Sequence, residues 1–352
     1  MRARAAERAA LCRRHYMADE HVPAQRSAFG RFYRQSGLRL FVRGRRNAAM
    51  YQVARLALKP VRSASLPRVL RFADRSADLF YSAVPAVRRM TLAHLALALG
   101  DTHAPAARAA IARAAYRNTA RCAVELAKLE EIRRRFDDYV SIDGWEHFEA
   151  VREHGAIVVT GHIGNFELLA AYVAHKGISI AAGVRRLDDP RLNRLLDDFR
   201  TGNGVQTIPR GGTGSGREIL RVLKQRGMFA LLVDQDIRVP SVSVPFFGRL
   251  ARTPAAAAAL AVRRNLPIVP AVARRRAEGG HHFTIAAPIV PPGTGDRQRD
   301  IVTLTAAFNR ILEAHIREHP TEWIWWHRRW RRPPVPGLDL DAQVSQTPRT
   351  WG

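Results

Sequence analysis

Residues 158–177 read VVTGHIGNFELLAAYVAHKG. Within them, His162 and Glu167 stand five positions apart. On an unbroken helix that offset turns about 140°, so the two side chains would diverge. They can meet only if the chain between them is not helical. Gly161 and Gly164 permit such a turn, and Asn165 can cap a helix that begins just after it. Glu167 is then expected in the first helical turn, with His162 in the loop above. A carboxylate bonded to one imidazole nitrogen fixes the tautomer and raises the basicity of the ring, so the other nitrogen can take a proton from an alcohol. The stretch holds no serine or cysteine nucleophile. A histidine–carboxylate pair alone suits direct transfer from an activated acyl donor to a hydroxyl or amine. Taken by itself, H-x4-E is more often a loop histidine with an unrelated acid near a helix start.

The elements that must hold this loop are legible in the flanking pattern. From about residue 143, AIVVTG reads as a short apolar strand and FELLAAYVAHKG as a helix closed by Gly177. ISIAAGV, VQTIPR, MFALLVD, IVPAVARR and HFTIAAPIV read as further strands, with helices between the earlier ones. This alternation predicts an α/β fold, a mostly parallel central sheet flanked by helices. Residues 66–136 read helical throughout, with apolar positions at three-to-four spacing. The expected organisation is a basic N-terminal extension over 1–60, a helical region over 61–142, an α/β domain over 143–333 and a loose tail over 334–352.

The chain has 352 residues, with 57 Lys and Arg against 31 Asp and Glu, a formal net charge of +26. Lysines are scarce (Lys59, Lys128, Lys176, Lys224), so nearly all the cationic charge is arginine. Such a surface attracts nucleic acid, an anionic membrane face or an acidic protein, and arginine suits bidentate contact with phosphate. GC-rich coding accounts equally well for many of the arginines. Cys12 and Cys122 match no metal or redox spacing. No segment reaches the roughly 18 uncharged apolar residues of a spanning helix, and the N-terminus lacks the apolar core of a signal peptide.

Other stretches suggest chemistry less strongly. GGTGSG before a helix could cradle phosphate through its amides, but it lacks the Lys-Ser/Thr of a nucleotide loop, so a flexible turn is expected. HRRWRR interleaves basic and aromatic residues as a nucleic-acid patch does. His281 and His282 have no partners at metal-site spacing and read as exposed loop residues. PFFG reads as buried packing.

Four blocks, taken in order, carry a resemblance. They are GHIGNFE between strand and helix, VRRLDDPRLNRLLDDFR, LLVDQDIRVPSVSVPFFGRLARTP, and PTEWIWWHRRWRRPP. Together they resemble the bacterial lipid A biosynthesis (lauroyl/myristoyl) acyltransferase family, over about residues 66–333. The family's H-x4-[DE] motif, its Asp-x-Asp block with Pro-Phe-Phe-Gly, and its closing Trp-x-Trp-x-His-x-Arg-Trp signature all have counterparts. This chain departs from the pattern in three ways. It shows no initial spanning helix, it lacks the Gly usual shortly after the Asp-x-Asp block, and Arg186 stands where many relatives have proline.

The resemblance implies an O-acyltransferase that moves a fatty-acyl chain from acyl carrier protein to a hydroxyl of a phosphorylated glycolipid, a lipid A precursor. It would act at the cytoplasmic face of the inner membrane as a peripheral protein. By the same resemblance His162 would be the general base and Glu167 its orienting partner. Arg185 and Arg200 match basic positions suited to lipid phosphate or the developing oxyanion, and Arg210 is a further candidate of that kind. Asp234 would hold one of those arginines. No metal or other cofactor is expected. The expected partners are the acidic acyl carrier protein, anionic membrane lipids and the glycolipid acceptor, with no nucleic acid. The alternatives are an acyltransferase for another glycolipid, such as an acylated phosphoinositol mannoside, or for an amino-acid lipid. From another class, the alternative is a basic nucleic-acid-binding protein.

Overall fold

A computed structural model describes residues 47–48, 51–53, 55–187 and 189–335. Nearly all of the expected tail, and most of the expected N-terminal extension, lie outside the described residues. Residues 55–63 are helical. Three long helices, α1 (Leu66–Ala83), α2 (Pro85–Leu99) and α3 (Pro105–Ala127), are followed by three short ones, α4 (Leu129–Arg133), α5 (Phe136–Tyr139) and α6 (Trp145–Val151). Each long helix carries a proline in its first turn, where the missing N–H would have had no helical partner. Leu66, Val69, Ala73 and Ala77 form the buried stripe of α1. Its Asp74 pairs with Arg121 on α3, and its Asp78 with Arg113 and Arg117.

The sheet has seven strands in the order β1-β9-β8-β2-β5-β3-β4. They are β1 (Val140–Asp143), β2 (Ala156–Thr160), β3 (Ile180–Val184), β4 (Val205–Pro209), β5 (Met228–Leu232), β8 (Ile268–Arg275) and β9 (His281–Ile285). Every neighbouring pair is parallel except β8–β9. The α/β expectation therefore holds, with one antiparallel pair. A separate hairpin, β6 (Ser241–Phe246) with β7 (Arg249–Pro254), was not expected from the sequence. Its turn is Phe247–Gly248 of PFFG, and Phe246 and Phe247 are both buried.

Two cores cover the two faces of the sheet, and strand alternation divides them. Ile157, Val159, Phe229 and Val272 point to one side. Ala156, Val158, Met228 and Ala271 point to the other. Strand β2 is buried along its whole length because it lies inside a two-sided sheet. Trp323 and Trp325 are almost fully buried in the first core. Burial of one such indole contributes roughly 4–6 kcal/mol of gross transfer free energy, which fixes the closing segment against the sheet.

Candidate active site

His162 follows the C-terminal end of β2, in the loop before helix α7 (Phe166–His175). Asn165 caps that helix by accepting a hydrogen bond from the Leu168 amide at 3.1 Å. Gly164 has φ of +55°, and a Cβ added there would lie 2.2 Å from the Ala273 carbonyl oxygen. No other residue type fits that turn without moving β8. A short backbone ladder pins the loop to the tryptophan segment. The Gly164 amide donates to the Glu322 carbonyl at 2.9 Å, and the Ile324 amide to the His162 carbonyl at 3.3 Å.

The carboxylate partner of His162 is Asp234, not Glu167. The imidazole Nδ1 lies 2.9 Å from Asp234 Oδ1, and the His162 backbone N–H donates to Oδ2 at 2.8 Å. Trp323 Nε1–H donates to the same Oδ2, also at 2.8 Å. Burial alone would raise the Asp234 pKa. The charge pairing with His162 and the hydrogen bonds from His162 and Trp323 outweigh it and hold the carboxyl well below the usual carboxylate range. An ionised Asp234 accepts only, so the neutral ring is held in the tautomer with its proton on Nδ1 and a lone pair on Nε2. The His162 side chain is 26% exposed while that of Asp234 is fully covered. The Gln235 amide nitrogen lies 3.2 and 3.3 Å from the two ring nitrogens, which sets it over the ring face rather than in its plane. Phe166 meets the ring edge-on at 5.3 Å.

Glu167 instead pairs with Arg200, near the end of helix α8 (Pro190–Gly202). Three contacts of 2.5–3.2 Å make the pair bidentate, and the two side chains are only 13% and 14% exposed. Burial would lower the Arg200 pKa, but the Glu167 carboxylate outweighs it and the net shift is upward. The acid sits in the first turn of one helix and the base in the last turn of another, where each also favours its helix dipole. The expected roles are thus exchanged. Asp234 orients the histidine and Glu167 holds the arginine, because the helix begins immediately after Asn165 and carries Glu167 toward α8.

Arg185 follows the end of β3 and Arg210 the end of β4, both exposed. These ends are adjacent, since Val184 pairs with Pro209 and the Arg210 amide donates to the Val184 carbonyl at 2.7 Å. Burial and then the charge of Arg185 push the Arg210 pKa down. Arg210, Arg186 and the glycine turn at 211–212 line a cavity of about 960 Å³. The candidate residues therefore gather at the C-terminal edge of β2, β5, β3 and β4, where open parallel sheets place their sites. Within that edge two direct pairs form, His162–Asp234 and Glu167–Arg200.

The Asp-x-Asp block has two tasks. Asp234 serves the imidazole. Asp236 accepts from the Arg332 backbone amide at 3.1 Å and from its Nε at 2.8 Å, closing the tryptophan segment over the site. Arg329 is fully buried, donates to Thr253 Oγ1 at 2.7 Å and to the Arg252 carbonyl, and has its pKa pushed down to about 10 by burial.

Several important residues escaped the motif reading. Trp323 had a signal in the closing signature but no assigned partner. Glu125 had a weaker one, an acid on the inward stripe of α3 with Asn118. His281 is a correction, since it is fully buried on β9 rather than exposed in a loop. Among the described residues, no group of three or more His, Cys, Asp or Glu could hold a metal ion. Among them also, no helix is long and apolar enough to cross a membrane.

A buried aspartate thus holds a partly exposed histidine at the C-terminal edge of a parallel sheet. The chain belongs to the bacterial lipid A biosynthesis acyltransferase family, whose profile matches residues 53–332. It is 25% identical over 198 residues to a phosphatidylinositol mannoside acyltransferase of Mycolicibacterium smegmatis, covering 55% of this chain and 62% of the relative. A Mycobacterium tuberculosis protein of the same name is 24% identical over 193 residues, 54% and 59% of the two chains. A lipid A biosynthesis acyltransferase of Haemophilus influenzae is 25% identical over 206 residues, 57% and 63%. The chain thus matches less than two thirds of the length of each of these relatives.

Proposed function

We propose that this enzyme moves a fatty-acyl group from an acyl carrier protein thioester to a hydroxyl of a phosphorylated glycolipid, with His162 as general base. One observation carries the reading: Asp234 holds Nδ1 while the ring stays partly exposed. His162 Nε2 takes the hydroxyl proton as the oxygen attacks the thioester carbonyl carbon. The tetrahedral oxyanion collapses, the carbon–sulfur bond breaks, and the imidazolium returns its proton to the departing thiolate. Asp234 stabilises the imidazolium in between. Arg185 and Arg210, at the neighbouring strand ends, would meet the phosphate of the acceptor. Glu167 and Arg200 lock the two helices that flank the site.

The net charge of +26 favours encounter with an acidic carrier protein at low salt. The acceptor class is supported by the named relatives, whose printed names refer to lipid A and to phosphatidylinositol mannoside. A peripheral membrane position is supported by α1, whose Phe72, Leu79 and Phe80 are 64%, 69% and 48% exposed. Arg68 and Arg75 flank Phe72 along the helix and are also exposed. Such a face suits insertion at an anionic lipid surface.

The deciding experiment offers purified enzyme dodecanoyl acyl carrier protein and either a lipid A precursor or a phosphatidylinositol mannoside. Acylation of one of them that disappears with His162→Ala is expected. Full turnover by His162→Ala would overturn the assignment of the base.

A further inference from the structure

A second buried carboxylate lies behind the loop. Glu125, fully buried on α3, accepts at both oxygens. Oε1 takes the Tyr139 hydroxyl at 2.7 Å and one Arg275 amino group. Oε2 takes the other Arg275 amino group at 2.9 Å, His281 Nε2–H at 2.9 Å and the Asn165 side-chain amide at 3.0 Å. Such a charge is expensive to bury unless every lone pair is used. A need for a counter-charge explains Arg275. It does not explain Asn165, which belongs to the catalytic loop.

Asn165 is held at both ends of its amide. Its oxygen caps α7 and its nitrogen reaches Glu125. A second route leads from the same carboxylate to Gly164. Arg275 Nε donates to Asn118 Oδ1 at 3.1 Å, Asn118 Nδ2 donates to Glu322 Oε2 at 2.8 Å, and the Glu322 carbonyl accepts the Gly164 amide at 2.9 Å. Residues 164 and 165, immediately behind the base, are thus anchored twice to one buried charge.

We propose that Glu125 is a positioning residue for the reaction: through Asn165, and through Arg275–Asn118–Glu322, it holds the 162–165 loop so that His162 meets its substrate in the reactive geometry. This rests on the reading of His162 as the base. Glu125 itself touches neither His162 nor any substrate surface. Its effect falls on the chemical step, because misplacing a catalytic group by about 1 Å can cost on the order of a hundredfold in rate.

The test measures kcat and KM for acyl transfer from dodecanoyl acyl carrier protein, using whichever glycolipid the wild type accepts, in Glu125→Gln, Asn165→Ser and the double variant. Serine keeps a good N-cap but loses the donor to Glu125. The expected result is a kcat lowered about tenfold or more in each single variant, with KM for the donor within about twofold. Asn165→Ser should keep the thermal midpoint of the wild type. The double variant should be no slower than the slower single variant, because both break one link. Should Glu125→Gln fail to fold, Asn165→Ser carries the test alone. A wild-type kcat in Asn165→Ser, or a change confined to KM or to stability, overturns the proposal. His162→Ala, measured beside them, separates the two ideas. If it is inactive while Asn165→Ser is fully active, the anchoring proposal fails and the base stands. If it is active, the reading of the base fails.

Discussion

Asp234 and Glu125 are the same device used twice. Each is a buried carboxylate with an imidazole nitrogen 2.9 Å away. Each is held below the usual carboxylate range by its partners although burial alone would raise it. The imidazoles differ. The His162 side chain is 26% exposed, and that of His281 is fully buried. His162 meets its carboxylate through Nδ1, whereas His281 meets its own through Nε2. The same pair is therefore reachable at one place and sealed at the other. Exposure of the ring makes the difference, since the acid–base chemistry available to an isolated pair is identical.

The comparison breaks most sharply at the two histidines. His162→Ala should lower kcat more than about a hundredfold, with little change in thermal midpoint. His281→Ala should do the reverse. It removes one of five donors to a buried carboxylate, so stability falls by about 1–3 kcal/mol while kcat changes less than tenfold. Steady-state kinetics and urea unfolding of the two variants check this together, and equal kinetic losses would erase the distinction.

Asp234→Asn comes next. The amide keeps the shape but no longer fixes the tautomer, so kcat should fall about a hundredfold with a smaller loss of stability. Arg200→Lys sharpens the comparison from outside the two centres. It replaces a bidentate pair with a point contact to Glu167, and unfolding free energy should drop by about 1–3 kcal/mol with kcat reduced severalfold.

The smallest effect is in pH. Burial pushes His327, near Asp234, and His315, on the last long helix (Arg297–Glu318), from the ordinary 6.5 down to about 4. Between those values the unfolded chain binds protons that the native one refuses. Native stability therefore falls as pH drops from about 6.5 toward 4. Urea midpoints measured at pH 7 and 5 should show the loss, and His315→Gln should flatten the slope. The Asp234 contribution follows the opposite pattern of a depressed carboxyl. It is present above the unfolded value near 4 and fades only in stronger acid.

Much of this was legible in one dimension. The short apolar runs marked β2, β3, β5 and β8, and Asn165 marked the start of α7 as expected. The four blocks identified the family, and the histidine stood where a strand gives way to a helix. The partner of that histidine was not legible. His162 and Asp234 are 72 residues apart and meet because β2 and β5 are neighbours in the sheet. The hairpin was hidden because its strands carry prolines, Pro245 and Pro254, and flank a positive-φ phenylalanine, Phe247.

The sequence by itself determined which local elements form and which residue types stand at their ends, because periodicity, caps and turns act over a few residues. It determined the presence of an imidazole and several acids able to serve it. Only the tertiary structure decided which acid does so. Strand order brings Asp234 under the ring, and the helix beginning after Asn165 turns Glu167 away to Arg200. Burial decided the rest, because it leaves one imidazole reachable and seals the other.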